Sequence, residues 1–313
     1  MAGKIGKIIA QRTGNSDLIS ILSEQLSGAD LNSLLLEVFA RRAQQLTAPE
    51  LLKQYDNNRF VQPAETDYLH LLERSLQTLQ CLKRHDFKPL QVSPLSQLGT
   101  CSVVATVDQD KVVSALRSCE VLSDATNALA LHISSQKKKQ KNAVGEAHIK
   151  YSTVQRHVRS QPFAIKGFSP HFTIGCMVSS GSDTGSYTFE KKALADHFTA
   201  LQDVLTTVFN TGTVKFRLQQ RAGYPEVFLP AVMEYLNDRL PGVAITRDET
   251  PGSNNYYKGL QFKADISVQG RQFEIADGGL VDWTQQLLNN KKERFFISGF
   301  GLELLNKLEE GLL

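Results

Sequence analysis

No apolar run in the chain is long enough to cross a bilayer, so the pattern gives no reason to expect a membrane. Paired cysteines are missing as well. Cys81, Cys101, Cys119 and Cys176 are the four thiols in 313 residues, none stands in a CxxC pair, and their spacing fits no zinc template. Scattered thiols of this kind read as buried free side chains in a reducing cytoplasm, and no metal site is expected. An excess of one charge is lacking too. The 35 Lys and Arg against 32 Asp and Glu leave a formal +3, too mild to argue for nucleic acid. The basic start, MAGKIGKIIAQRTGNSD, holds no apolar core for a secretory signal. SSGSDTGS lacks the GK[ST] ending of a phosphate loop, and there is no GxSxG, HExxH or Asp-rich calcium loop. The one tryptophan, Trp283, reads as core.

Hydrophobic residues at 41% and charged residues at 21% permit a sizeable core in one large domain or two smaller ones. Residues 17–55 carry helical periodicity, with Leu18, Ile21, Leu22 and Leu26 on one face and Asp17 as a cap. Thr47, Pro49 and Glu50 spell a cap, an early-helix proline and a capping-box glutamate. The expected division is a helical module over residues 1–62, for packing or docking, and a core over 63–313. Leu69, Leu72, Leu76 and Leu79 form the stripe of the next helix, and PLQVSPL is an extended segment broken by Pro94. CSVVATVDQDKVVSAL is expected as a hairpin turning at Asp108–Asp110, and SDATNALALHIS as a helix capped by Ser123 or Asp124. SSQKKKQKNAVGEAH reads as a solvated loop, or as one that touches phosphate.

Strands are expected at IKYSTVQRHVRS, HFTIGCMVSSG, GTVKFRL, LQFKADISV, RQFEIADGG and FFISGF. Helices are expected from about Thr188, at PEVFLPAVMEYLNDRL and at the end of the chain. This order is that of an α+β domain, an antiparallel sheet flanked by helices. In GSNNYYKGLQFKADI, Tyr256 and Tyr257 would point to opposite faces of a strand, one into core and one into a pocket.

From about Ala64 onward, these parts in this order resemble the catalytic core of class II aminoacyl-tRNA synthetases. The likeness is greatest to the histidyl-tRNA synthetase branch, which includes the paralogous regulatory subunit of ATP phosphoribosyltransferase. The helix and Pro94 resemble the family's first motif, which lies at a dimer interface, so the resemblance implies a homodimer. LSDAT is similar to the segment that meets the substrate ammonium, which gives Asp124 and Thr126 that role; Asp124 serves equally as a helix cap. QRHVRSQ stands at the second motif, so Arg156, Arg159 and Gln161 match, and Arg156 takes the place of the arginine that binds the ATP α-phosphate. A strand-end surface arginine is the plain alternative for Arg156. YYKGLQF matches the branch at Tyr256, Tyr257, Gly259 and Phe262, and GGLVD matches it at Gly278, Gly279 and Asp282.

The departures matter as much. Val158 replaces a glutamate that holds ATP. Thr173 and Met177 stand where histidine is read, and methionine cannot accept from an imidazole as a carboxylate does. Gly252, Leu280 and Leu304 fall where arginines are expected, and Asn255 where an aspartate is. Arg247 lies five residues too early to replace the first of these. Joining a carboxylate to a triphosphate sets two anions against each other, and such sites rely on arginines and magnesium. The expectation is therefore a core that does not make aminoacyl adenylates and has no appended anticodon-binding domain. It would bind a small ligand (an amino acid or nucleotide) or a partner protein in a regulatory or accessory role. The alternatives are a divergent enzyme that uses ATP with Mg to activate an amino acid or carboxylate, and a dimer that binds RNA through its lysine run. In the first case no cofactor is needed.

Overall fold

The computed structural model describes residues 4–140, 148–161, 169–250 and 256–312. The N-terminal stretch is helical: α1 (Lys4–Thr13), α2 (Leu18–Ser20) running into a π-turn at Ile21–Gln25, α3 (Gly28–Gln44) and α4 (Ala48–Asn57). Ser27 caps α3, and Thr47 with Glu50 closes a reciprocal capping box on α4 with proline in its first turn. Asp17 makes no cap bond. Its carboxylate accepts from Ser16 and its N–H donates to Asn15 Oδ1 (2.8 Å), so the local turn claims both groups. The helices touch the rest of the chain through a few polar ties. Asn32 Oδ1 accepts from Arg117 N (2.7 Å), and Arg59 donates to the carbonyls of Ser160 and Gln161.

Helix α5 (Tyr68–Arg84) has the expected period but a different phase. Leu71, Thr78, Cys81 and Leu82 are its buried side, whereas Leu69, Leu72 and Leu76 are 73%, 47% and 58% exposed. After β1 (Lys88–Pro89), a small sheet forms from β2 (Leu95–Gln97), β3 (Ser114–Ala115) and β4 (Cys119–Val121), in the order β2-β4-β3. No hairpin turns at Asp108–Asp110. Thr100–Val104 is a π-turn and Gln109–Lys111 a 3-10 turn capped by Asp108. The chain reverses later, at Arg117 and Ser118, whose φ values are +64° and +54°. Helix α6 (Ala125–Lys139), and not a loop, holds the lysine run. Lys137, Lys138 and Lys139 occupy its last turn, where cations suit the helix dipole, and Lys137 pairs with Glu293 at 2.5 Å. Residues 141–147 lie outside the described residues.

The remainder runs β5 (Ile149–Val158), β6 (His171–Ser182), α7 (Thr188–Asp203) with a π-turn at Val204–Val208, β7 (Val214–Gln220), α8 (Phe228–Arg239) and β8 (Ala244–Arg247). Then come β9 (Lys258–Val268), β10 (Arg271–Val281), α9 (Trp283–Leu288), β11 (Glu293–Phe300) and α10 (Leu302–Glu309). The large sheet has the order β1-β5-β6-β11-β10-β9-β7-β8. Its inner pairs are antiparallel, and the short edge strands β1 and β8 join in parallel. The α+β reading holds, with a mixed sheet.

One face of the sheet packs on α5, α7, α8 and α10 and carries the larger core, including Phe198, Phe216, Phe262 and Phe296. His197 sits wholly buried there, bonded to Ser179 at Nε2 (2.9 Å) and to Ser298 at Nδ1 (2.6 Å). Its two ring nitrogens are thereby satisfied, and burial holds its pKa well below the usual histidine value. The other face packs on α6 and α9 in a second cluster with Tyr151, Val178, Trp283 and Ile297. That second face is open toward the start of α6, and there the site forms.

Candidate ligand cavity

Along a strand, alternate residues leave the core, so one row across the sheet is available to a ligand. Cys176 of β6 pairs with Gly299, Gly299 with Asp277, and Asp277 with Lys263. The start of α6 hangs over this row and brings Ser123, Asp124 and Thr126 to it. A cavity of about 810 Å³ opens between them.

Asp108, Asp124, Glu274 and Asp277 all line it, and Asp124 and Asp277 are the two carboxylates held by tyrosine donors. Asp124 caps α6, its Oδ1 accepting from Thr126 N (2.9 Å) and Thr126 Oγ1 (2.7 Å), and its Oδ2 accepts from Tyr256 Oη at 2.9 Å. Asp277 Oδ2 accepts from Tyr257 Oη at 3.0 Å, and its Oδ1 has no hydrogen-bond partner among the described residues. Asp277 is exposed to the cavity space, while desolvation by the surrounding protein raises its pKa, opposed by the Tyr257 bond. Burial and the neighbouring carboxylates push both phenols well above the usual tyrosine value, so both remain donors. The two rings meet edge to face at 4.9 Å, and Tyr256 also meets Trp283 edge to face at 5.3 Å.

Positive charge lies at the mouth. Arg159 lines the cavity with Lys111; it donates to Ser123 O (3.3 Å), and its guanidinium lies over Phe172. No carboxylate forms a salt bridge with Arg159 among the described residues. Gln161 lines the mouth next to it. His157 is fully buried at the wall, its Nδ1 donating to Gln155 O (3.0 Å) and its Nε2 accepting from Ala125 N (2.9 Å). Burial drives its pKa down to about 4, with Asp124 pulling the other way. Cys101 and Cys176 line the cavity as thiols; burial lifts Cys101 to about 12 and Cys176 well above the usual value.

Asp124, Thr126, Arg159, Gln161, Tyr256 and Tyr257 are thus brought together, while Arg156 and Gly259 are not. Arg156 points to the opposite face of β5, where it bonds Glu303 of α10 at 3.2 Å and His171 at 2.9 Å. Thr173 and Met177 also face away; Ile174 and Cys176 hold the cavity positions on β6. Gly259 has φ +70°, and a Cβ there would lie 2.5 Å from Tyr224 rather than near the cavity. The two tyrosines share the cavity because they precede β9, where strand alternation does not yet apply. Arg247 pairs with Glu249 at the surface, and Leu280 and Leu304 pack with the core. Gly252 and Asn255 lie outside the described residues. Gly279 is needed as glycine, since a Cβ there would come within 2.4 Å of Leu260 O and 2.8 Å of the Tyr257 ring.

Two cavity residues and one behind them escape a motif search: Asp277 and Gln261 line the cavity, and Arg221 contacts Gln261. Asp277 and Gln261 follow from strand alternation in QFEIADGG and LQFKADI. Arg221, only 8% exposed, donates to Gln261 Oε1; its Nε is buried without a partner, and no carboxylate pairs with it among the described residues. By holding Oε1, it leaves the Gln261 NH2 as the group offered to the cavity.

No protein-family model and no curated protein matches the sequence. Solved structures do match. A histidyl-tRNA synthetase from S. aureus superimposes with a TM-score of 0.60 at 13% identity, over 80% of this chain and 69% of that one. An ATP phosphoribosyltransferase regulatory subunit/histidyl-tRNA synthetase from Bacillus halodurans gives 0.61 at 13% identity, over 80% and 83%. The fold is that of the class II aminoacyl-tRNA synthetase core. A histidine–tRNA ligase subunit from Alicyclobacillus acidocaldarius matches at 0.59 and 10% identity, over 81% of this chain and 96% of that one. Within this synthetase-like core, the cavity lies on the sheet face beneath α6. No helix among the described residues is long and apolar enough to cross a membrane.

Proposed function

We propose that this synthetase-like core binds a small molecule carrying an ammonium group and an anionic group, as an amino acid does, without making an adenylate. It would serve in a regulatory or accessory role. The observation that carries the reading is the charge on the cavity floor. Asp277 and Asp124 are oriented by tyrosine donors, and Asp277 Oδ1 is left for a cation, while Arg159 and Lys111 stand at the mouth for an anion. Two carboxylates at the floor oppose a triphosphate. Arg156, the residue matched to the α-phosphate arginine, is tied to Glu303 on the other face.

The expected result is a rise in the melting temperature of the purified chain with an amino acid or related amine, from a panel that includes nucleotides. A ligand at a hundred times its Kd adds about 2.7 kcal/mol. Asp277→Asn should abolish that rise. The same variant, without ligand, should melt higher than the wild type at neutral pH. A carboxyl with a raised folded pKa contributes stability below its unfolded pKa and loses it as pH rises through the folded one, whereas asparagine stays neutral throughout. Equal binding by Asp277→Asn would overturn the assignment.

A second reading rests on Arg221, whose buried guanidinium would be relieved by an anion. In it, the core activates a carboxylate with ATP and Mg, and pyrophosphate exchange with any amino acid would decide for it. For the homodimer that the resemblance at this helix and Pro94 implies, under either reading, we propose the outward stripe of α5, bare at Leu69, Leu72 and Leu76, as the surface met by a second copy. The purified chain should then sediment as a dimer at micromolar concentration; a monomer there would remove the assignment.

A further inference from the structure

On the face opposite the cavity, three side chains of different chemistry converge on one point. Cys81 and His85 stand four residues apart on the last turn and cap of α5, and so share one side of the helix. Asp203 closes α7 and faces them. Its Oδ2 accepts from Cys81 Sγ at 3.2 Å and from His85 Nε2 at 2.8 Å. All three ligand atoms lie within 4.8 Å of one another. We propose that Cys81, His85 and Asp203 bind one zinc ion.

The donor set argues for that metal. A thiolate, an imidazole and a carboxylate suit Zn2+, and three protein ligands with one open position are a familiar zinc arrangement. The separations of 3.2 Å and 2.8 Å from Asp203 Oδ2 would widen by a few tenths of an ångström to take an ion at about 2.0–2.3 Å from each ligand atom. Two features of the backbone favour a cation here. The site lies at the C-terminal end of α5, whose partial negative charge attracts one. Directly after Asp203 the helix widens into the π-turn at Val204–Val208, a distortion that recurs at functional sites. Access is from one side: Cys81 is buried, whereas the side chains of His85 and Asp203 are 24% and 27% exposed. Arg84 touches Asp203 at 3.5 Å but is 61% exposed and free to turn into solvent as the ion enters. Lys150 donates to His85 O at 3.4 Å but is committed to Asp196 at 2.7 Å. On binding, the thiol proton leaves to solvent and the imidazole binds through its neutral form.

The test is titration of the whole reduced chain with Co2+ as a spectroscopic stand-in, followed by displacement with Zn2+. One equivalent is expected to give a thiolate-to-cobalt absorption band that Zn2+ bleaches. Cys81→Ser should remove the band, and Asp203→Asn and His85→Gln should each weaken binding tenfold or more. Cys119→Ser, which changes a partly accessible thiol elsewhere, should bind like the wild type. His85→Gln, at a side chain only 24% exposed but at the edge of the core, keeps the test decisive if Cys81→Ser does not fold. A wild type without the band, a band retained in Cys81→Ser, or unchanged affinity in both Asp203→Asn and His85→Gln would overturn the site. None of these readouts depends on the cavity or its ligand.

Discussion

Phe262→Ala is expected to lower stability by about 3–5 kcal/mol, read as the shift of the urea midpoint at constant slope. Phe262 is fully buried on β9, near the middle of the sheet. Its ring meets Phe198 of α7 edge to face at 5.0 Å and stacks parallel to Phe296 of β11 at 6.1 Å. Phe198 in turn stacks on Phe216 at 4.0 Å. Removing the ring therefore opens a void between a helix and three strands, and the backbone around it is pinned by ladders on both sides. Collapse into the void is hard, which places the cost in the upper part of the range. A void there also removes the wall that fixes Gly278, where a Cβ would stand 2.4 Å from that same ring. A loss below about 1 kcal/mol would mean that the site relaxes freely and that the aromatic cluster is not the anchor of this face.

Acid should destabilise the chain, and His157 should account for much of the effect. Its Nε2 accepts the Ala125 N–H at the first turn of α6, which only a neutral imidazole can do. The folded pKa is held to about 4 by burial, against an ordinary value of 6.5. A base with a depressed pKa contributes stability that is fully present above 6.5 and is lost as pH falls toward the folded value. Over that interval the loss from His157 comes to about 3 kcal/mol. His197, also neutral and buried, adds in the same direction. Asp277 works in the opposite direction, so the total slope is a sum and the single variant isolates the histidine. Denaturant midpoints from pH 7 to 4 should fall steeply for the wild type and less so for His157→Gln, which can still accept from Ala125. Identical slopes would show that His157 does not carry the acid sensitivity.

The parts of the fold that could be read in advance were those in which local chemistry and tertiary demand agree. The capping box at Thr47 and Glu50, the strands β5, β9 and β10, and the apolar face of α7 all formed as expected. What could not be read was phase. Arg156 and Arg159 are three apart on and just after a strand, so they leave it in opposite directions, and a motif match alone does not say which one enters the cavity. Leu69, Leu72 and Leu76 have helical spacing whichever way the helix is turned; the burial of Leu71 and Leu82 decides it. Lys137 to Lys139 looked like loop because they are polar, yet the end of a helix suits them. Arg221 is legible only in three dimensions, because nothing in FRLQQRAG announces that a guanidinium will be enclosed with no carboxylate bonded to it among the described residues.

The position of β11 has a consequence for how the chain is made. Among the described strands it is the last to be synthesised, yet it lies between β6 and β10 and holds the two halves of the sheet together. Until it arrives, β5 and β6 on one side and β7, β9 and β10 on the other each end in an unpaired edge. Once β10 has been made, the nascent chain therefore carries two sticky borders and no means of joining them until β11 follows. Closure has to wait for a long-range pairing, which is the slow kind. Stalling translation shortly before residue 293 should leave a protease-sensitive, chaperone-bound intermediate, and translation through β11 (Glu293–Phe300) should zip it shut.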